Sequence, residues 1–323
     1  MTDMHVIDEV RPAVTDGFAV QVRDLRKSYG STEVLRGVDF EVRYGEVFCL
    51  LGPNGAGKTT TLEILEGFRP PTSGTVRVLG LDPAAQAAKL RERTGMVLQE
   101  CGFPRQARVA ELIDTWRSYY SNPRPLGELL DVVELTEVRN TQVRKLSGGQ
   151  RRRLDFALAL AGDPDLVFLD EPTTGFDPEA RRRCWAAIEN LRRLGTTILL
   201  TTHYLDEAEQ LADRIAIMRT GRIELAGTTH EVAARAGLAT RISFTTPSAV
   251  RRGQVAVPAG IDLAVRGPLS VCHTGNAALT LRQLLDWARE NRLGDLDGLA
   301  VTAPSLEDTY LQLTGADPYL EIT

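Results

Sequence analysis

Lysine, histidine, cysteine and methionine are all scarce in this chain. Among 323 residues there are four cysteines, four methionines and four histidines, and aromatic residues make up only 6%. The cysteines, Cys49, Cys101, Cys184 and Cys272, lie far apart. None stands in a Cys-x-x-Cys spacing, which excludes a zinc ribbon or a redox dithiol. Cys49 sits inside an apolar run and reads as a small core residue. Reduced thiols of this kind point to a cytosolic setting. No stretch approaches the ~20 consecutive apolar residues that a spanning helix needs. Residues 1–16 carry Asp3, Asp8 and Glu9 without an apolar segment, so they do not read as a secretory signal. The expectation is a cytoplasmic chain, with any membrane span supplied by another subunit. Excess basic charge is also missing: the net charge is −5, which argues against nucleic acid as a partner. Hydrophobic residues at 43% do support a packed core, and the length suits one large domain with a smaller one.

Against that background one lysine stands out. The chain has only Lys27, Lys58, Lys89 and Lys145, and Lys58 closes the run Gly52, Pro53, Asn54, Gly55, Ala56, Gly57, Lys58, Thr59, Thr60. An apolar strand-like run, Val47 to Leu51, precedes it, and a helix-forming stretch, Thr59 to Glu66, follows. This is a phosphate-binding loop in its required setting. The glycines let backbone N–H groups turn toward phosphate oxygens, and the helix start adds its positive dipole end. Lys58 places an ammonium on the β/γ-phosphates, and the Thr59 hydroxyl is placed for Mg²⁺. The chain therefore binds a nucleoside triphosphate.

Residues 1–18 read as a flexible tail. From Ala19 to about Val47 apolar and polar residues alternate, which predicts antiparallel strands joined near Tyr29 to Ser31. Thr75 to Leu79 reads as another short strand. Residues 91–162 are mostly helical in pattern. Strands at Leu166 to Leu169, Thr196 to Thr201 and Arg214 to Met218 then alternate with helices at Ala180 to Leu194 and Leu205 to Ala212. Such alternation predicts a mostly parallel sheet covered on both faces. After about Gly227 the character changes. Short strands at Arg241 to Phe244 and Gln254 to Val257, an amphipathic helix at Leu279 to Asn291 and a last helix at Leu306 to Leu313 predict a small α+β domain over 228–323.

The strand Leu166 to Leu169 ends in two carboxylates, Asp170 and Glu171. Placed beside the phosphate-loop strand, it would bring Asp170 to the Mg²⁺ shell. Glu171 would then face the γ-phosphate, where a general base must sit. Leu146, Ser147, Gly148, Gly149 and Gln150 open a further helix, with Ser147 as its cap. One nucleotide does not need two cradles in the same site, so this second element suits a nucleotide held by another subunit. Arg151 to Arg153 could form an anion patch or simply a solvated helix start. Trp116, Tyr119 and Tyr120 could receive a partner helix or pack a helical subdomain.

The set Gly52 to Thr60, Leu146 to Gln150 and Leu166 to Glu171 resembles the nucleotide-binding subunit of an ABC transporter, over about Val20 to Gly227. The resemblance implies a P-loop NTPase cassette over 19–227: a RecA-like parallel core, an antiparallel β subdomain and a helical subdomain over about 95–162. It implies that Tyr29 stacks on adenine. Gln99 would contact Mg²⁺ or the attacking water and begin the segment touching the membrane partner. His203 would contact the γ-phosphate, and Asp177 would lie in the loop between the two sites of a dimer. Phe176 stands where the family usually has leucine. The implied reaction is Mg²⁺-dependent ATP hydrolysis by two subunits, with a homodimer favoured over a heterodimer, peripheral on the cytoplasmic membrane face through a separate permease. Glu63 to Gly67, Gly95 to Glu100 and Leu306 to Gly315 are similar to exporter subunits of the daunorubicin-resistance type, pointing to export of a drug, lipid or other amphipathic small molecule. An ATPase of a small-solute importer and a soluble regulatory ATPase without a transport partner are the alternatives. A soluble ATPase acting on DNA or the ribosome is disfavoured by the single cassette, the absence of a heptad run and the acidic balance.

Overall fold

The computed structural model describes residues 17–97, 104–235, 239–302, 306–307 and 309–310, which fall into two compact units, 1–228 and 229–323. In the first unit, β1 (Phe18–Tyr29) and β2 (Thr32–Arg43) form the expected hairpin, turning at Gly30 and Ser31. β4 (Ser73–Val78) adds to the other side of β1, giving a three-stranded antiparallel sheet in the order β2-β1-β4. Its alternating pattern turns Val20, Val22, Leu35, Val38 and Val42 inward. Phe18, expected in the tail, opens β1.

The main sheet is built from β3 (Val47–Leu51), β5 (Thr94–Val97), β6 (Leu166–Asp170), β7 (Thr197–Thr202), β8 (Arg214–Arg219) and β9 (Arg222–Gly227). The order is β5-β6-β7-β3-β8-β9. All pairs are parallel except β8 with β9. β3 and β7 are buried along their whole length, and β6 is buried up to Asp170, as strands covered on both faces must be. The covering helices include α1 (Lys58–Leu65), α2 (Ala87–Arg91), α6 (Pro178–Arg193) and α7 (Leu205–Leu211). Among the described residues of this unit the other α-helices are α3 (Val109–Arg117), α4 (Leu126–Val132) and α5 (Gly148–Ala159).

Two sequence expectations change here. The Asp170 strand is not beside the phosphate-loop strand: β7 pairs with both and separates them. And the stretch 91–162 is not only helical, since Thr94–Val97 is an edge strand. Four residues are too few for a period-2 pattern to show, so β5 was missed. The six-residue hairpin strand β9 was also missed; among the described residues its only paired neighbour is β8, across a tight turn.

The second unit contains α8 (Thr229–Arg235), β10 (Thr240–Thr245), α9 (Ser248–Arg251), β11 (Leu263–Arg266), β12 (Leu269–Thr274), α10 (Ala277–Glu290) and β13 (Ala300–Thr302). Its sheet is antiparallel in the order β11-β12-β10-β13. Ile242, Phe244, Leu263 and Cys272 pack with Leu284 and Trp287 of α10. The strand expected at Gln254 to Val257 is instead irregular chain, where the Ala256 carbonyl accepts the Trp287 indole N–H. Of the last expected helix, Leu306, Glu307, Thr309 and Tyr310 are described and helical.

Candidate nucleotide site

The loop after β3 is shaped by close packing. A Cβ on Gly52 would run into the Met218 carbonyl oxygen of β8, so only glycine lets the chain leave the sheet here. Gly57 caps α1 with φ 105°, a conformation that L side chains rarely adopt. The chain then enters α1 at Lys58, which puts the lysine and Thr59 in the first turn, at the positive end of the helix.

The Lys58 side chain is almost fully buried. Its Nζ donates to the carbonyls of Gly52 at 2.8 Å and Pro53 at 3.2 Å, and lies 3.2 Å from Glu171 Oε1. The other carboxylate oxygen, Oε2, accepts from the Thr174 hydroxyl at 3.1 Å and is 3.2 Å from His203 Nδ1. That histidine contact lacks the alignment of a hydrogen bond. Burial pushes the Glu171 carboxyl up, but the Lys58 ammonium and the His203 side chain outweigh it and hold the group below its ordinary value. Glu171 is therefore ionised at neutral pH. Its backbone is left-handed, φ 44°, where a non-glycine residue is strained. The Glu171 N–H donates to both the Thr201 carbonyl at 3.2 Å and the Thr201 hydroxyl at 3.1 Å, which holds that conformation.

Thr201 was not visible in the sequence as a site residue. It lies in β7, the strand between β3 and β6, and its hydroxyl donates to Asp170 Oδ1 at 2.6 Å. The same Asp170 oxygen is 3.4 Å from the Thr59 hydroxyl. So α1, β6 and β7 bring Thr59, Asp170 and Thr201 together even though β3 and β6 do not touch. The one available signal was a threonine at the end of a buried strand, where a hydroxyl needs a partner.

Thr59 and Asp170 are hard oxygen donors, the chemistry a small divalent cation prefers. Among the described residues no group of three or more His, Cys, Asp or Glu could hold a metal ion alone. Two protein oxygens fit a cation that takes its other ligands from phosphate and water. Near this point Glu66, just past the end of α1, is pushed up to about 8, first by burial and then by the negative charges of Asp170 and Glu63.

Other expected residues lie elsewhere. Ser147 caps α5, its Oγ accepting from Gln150 N–H at 3.2 Å while Gln150 Oε1 accepts from Ser147 N–H at 2.9 Å. Gly148 has open space around it, and Gly149 faces the Arg183 guanidinium. Asp177 caps α6, accepting from Ala180 N–H at 2.7 Å. Tyr29 ends β1 with an exposed ring, flanked by Lys27 at 5.2 Å and the Arg69 guanidinium at 5.6 Å. No described contact joins Tyr29, Ser147 or Asp177 to Lys58, Glu171 and His203. Gln99 lies outside the described residues.

The three arginines after the Gly148–Gly149 pair divide. Arg152 is buried and pairs with Asp155, and Arg153 pairs with Glu134, so they do not form a common anion patch. Of the three aromatics of the helical region, Tyr120 packs on Gly162 and Tyr119 is 73% exposed beside Trp116.

A glycine loop between strand and helix, a buried lysine and an Asp-Glu pair on a parallel strand define a P-loop nucleotide-hydrolysing domain. Residues 35–174 match the ABC transporter family. The Nod factor export ATP-binding protein I of Ralstonia nicotianae is 34% identical, over 95% of this chain and 97% of that protein. The daunorubicin resistance ATP-binding protein DrrA3 of Streptomyces coeruleorubidus is 36% identical, over 93% of this chain and 96% of that protein. A solved ATP-binding subunit of an ABC transporter superposes with a TM-score of 0.61 and 27% identity, over 68% of this chain and 93% of that one. A cassette solved as a dimer after hydrolysis, with ADP and Pi bound, gives 0.57 and 25%, over 65% and 98%. The chain belongs to the ATP-binding proteins of the ABC transporter family, and it is an ATPase.

Proposed function

We propose that this protein powers export of a drug, lipid or other amphipathic small molecule through a separate membrane permease. The observation that carries this reading is the span of the similarity. It runs over 93–95% of the chain to proteins named for Nod factor export and daunorubicin resistance, and so extends beyond the cassette into 228–323. No described helix is long and apolar enough to cross a membrane, so the membrane path belongs to a partner. The working place is the cytoplasmic face of the membrane, against that permease.

In this site Lys58 leaves the Gly52 and Pro53 carbonyls and Glu171 for the β/γ-phosphates. Thr59 and Asp170 hold Mg²⁺, which when bound neutralises charge on the phosphates. Glu171, freed from Lys58, accepts the proton of the attacking water. His203, beside Glu171, donates toward the γ-phosphate, with Gln99 completing the water or cation site. Tyr29 stacks on the adenine, a contact worth about 1–3 kcal/mol in similar cases. Ser147, Gly148, Gly149 and Gln150 cover the nucleotide of a second ATP-binding subunit, and Asp177 lies between the two sites. A homodimer is the simplest arrangement, since no catalytic position here is degenerate. The solved dimeric cassette with ADP and Pi supports pairing of this kind. The C-terminal unit, 229–323, steadies or regulates that pair.

The test is purification of Glu171→Gln with ATP from detergent-solubilised native membranes, beside wild-type ATPase assays with and without Mg²⁺. Co-purification of a polytopic membrane protein together with Mg²⁺-dependent wild-type turnover is expected. Turnover without any membrane partner would favour a soluble regulatory ATPase. Recovery with a solute-binding importer complex would overturn export.

A further inference from the structure

Glu207 is a fully buried carboxylate that takes no part in the proposed mechanism. Glu207 lies in the first turn of α7, four residues after His203, and has no exposed surface. A carboxylate removed from water must be held by donors, or it destabilises its surroundings. Glu207 Oε1 accepts from the Thr173 hydroxyl at 2.8 Å and the Trp185 indole N–H at 3.1 Å. Its other oxygen, Oε2, has no aligned partner among the described residues. Burial pushes the group up, while Thr202, Thr173, Trp185 and Arg181 favour its ionised form.

What makes this notable is where the donors lie. Thr173 is two residues past Glu171, in a segment that is buried at both Pro172 and Thr173. The same segment is also held by α5. Arg152 Nε donates to the Pro172 carbonyl at 3.2 Å, and Arg152 is oriented by Asp155 at 3.3 Å. The α7 end is also fixed. Arg181 of α6 stacks on the Tyr204 ring at 4.4 Å and pairs with Asp206 at 3.0 Å, and Tyr204 N–H bonds the Thr202 hydroxyl at 3.0 Å. Two residues, Pro172 and Thr173, thus join the helix that carries Ser147 to the helix that follows His203.

We infer that Glu207 is a positioning residue: its bond to Thr173 sets the spacing between the Glu171 segment and the His203 segment, and through Pro172 and Arg152 ties both to the α5 helix. The inference deepens the proposed function and rests on Glu171 and His203 acting on the same nucleotide. Glu207 touches no reacting atom. It acts by fixing where Glu171 lies, and a small displacement of a base costs turnover more than it costs binding.

The bond to Trp185 provides an internal comparison, because it ends on the same Oε1 but runs to a side chain of α6 instead of to the segment that follows Glu171. A leucine at 207 keeps roughly the volume and removes the acceptor, whereas a glutamine would keep an amide oxygen able to take the same two bonds. Glu207→Leu, Thr173→Val, Trp185→Phe and the double variant Glu207→Leu/Thr173→Val are compared by kcat, KM for ATP and thermal midpoint. The expected result is a roughly tenfold fall in kcat for Glu207→Leu and for Thr173→Val, with KM within about twofold. The double variant should fall no further than the worse single one, because both remove one coupling. Trp185→Phe should keep kcat within about twofold even where its midpoint drops. Equal kcat losses in Thr173→Val and Trp185→Phe, each following its stability loss, would overturn the inference in favour of a purely structural carboxylate. Wild-type kcat in both Glu207→Leu and Thr173→Val would overturn it too, while the ATPase reading stood. A wild type with no ATPase activity would bring down both together.

Discussion

Lys58 Nζ lies 3.2 Å from Glu171 Oε1, so the lysine that opens α1 and the carboxylate just past β6 hold each other. Under the proposed mechanism an incoming triphosphate breaks this pair and so frees Glu171 to act as the base. Lys58→Ala is expected to weaken ATP binding by at least a hundredfold, roughly 3 kcal/mol, since a charge-assisted contact is lost in a buried loop. Glu171→Gln should instead leave binding within a few-fold and cut kcat by about 10²–10⁴. Fluorescent-nucleotide titration beside steady-state turnover separates the two. Equal binding losses in both variants would contradict the division of roles.

Thr201 offers a second test. Its hydroxyl donates to the Asp170 oxygen that also faces Thr59, and it accepts the Glu171 N–H. Groups that orient a metal ligand usually matter about 10–100-fold in metal affinity. Thr201→Val should raise the Mg²⁺ concentration for half-maximal turnover about tenfold. An unchanged Mg²⁺ curve would show that Asp170 needs no such support.

Glu66 predicts a pH dependence. Its carboxyl is pushed up to about 8 by burial and by Asp170 and Glu63. Between the ordinary glutamate value and 8 the folded state holds a proton that the unfolded state has lost, so stability falls as pH rises through that window. Glu66→Gln removes the effect. The variant's thermal midpoint, measured without nucleotide, should exceed the wild type's by a few degrees at pH 8 and match it near pH 5. A constant difference across that range would refute it.

Gly52 tests the loop itself. A side chain there meets the Met218 carbonyl, a backbone atom of β8 that cannot turn aside. Gly52→Ala should cost about 1–3 kcal/mol of stability by overpacking and reduce ATP affinity. Gly55→Ala, which meets nothing nearby but has φ 80°, should carry only the backbone strain of a left-handed alanine, about 1 kcal/mol. Chemical denaturation of the two variants measures both costs.

Asp177 separates a local role from a shared one. Its side chain caps α6, and Asp177→Asn keeps a capping oxygen while removing the charge. The monomer's thermal midpoint should therefore hold, whereas Asp177→Ala should lower stability by about 1 kcal/mol. A drop in ATP-driven dimerisation in Asp177→Asn, measured by light scattering with Glu171→Gln in the background, is the expected sign of a role between subunits.

The sequence by itself determined the parts of this protein whose chemistry is local. A glycine loop ending in Lys58 and Thr59 works only with glycines where the backbone must turn left-handed or lie against a carbonyl, and those residues stand adjacent in the chain. The Ser147 to Gln150 cap is likewise a contact across three residues, and the long helices and buried strands follow from periodicity. Tertiary structure alone decided what depends on strand order. A strand's partner is chosen by packing far along the chain, so nothing near Leu166 announced that β7 would separate it from β3. For the same reason Thr201 and Glu207 looked like ordinary residues of a strand end and a helix. Their partners, Asp170 with Glu171 and Thr173, lie about thirty residues away and meet them only when the parallel sheet closes.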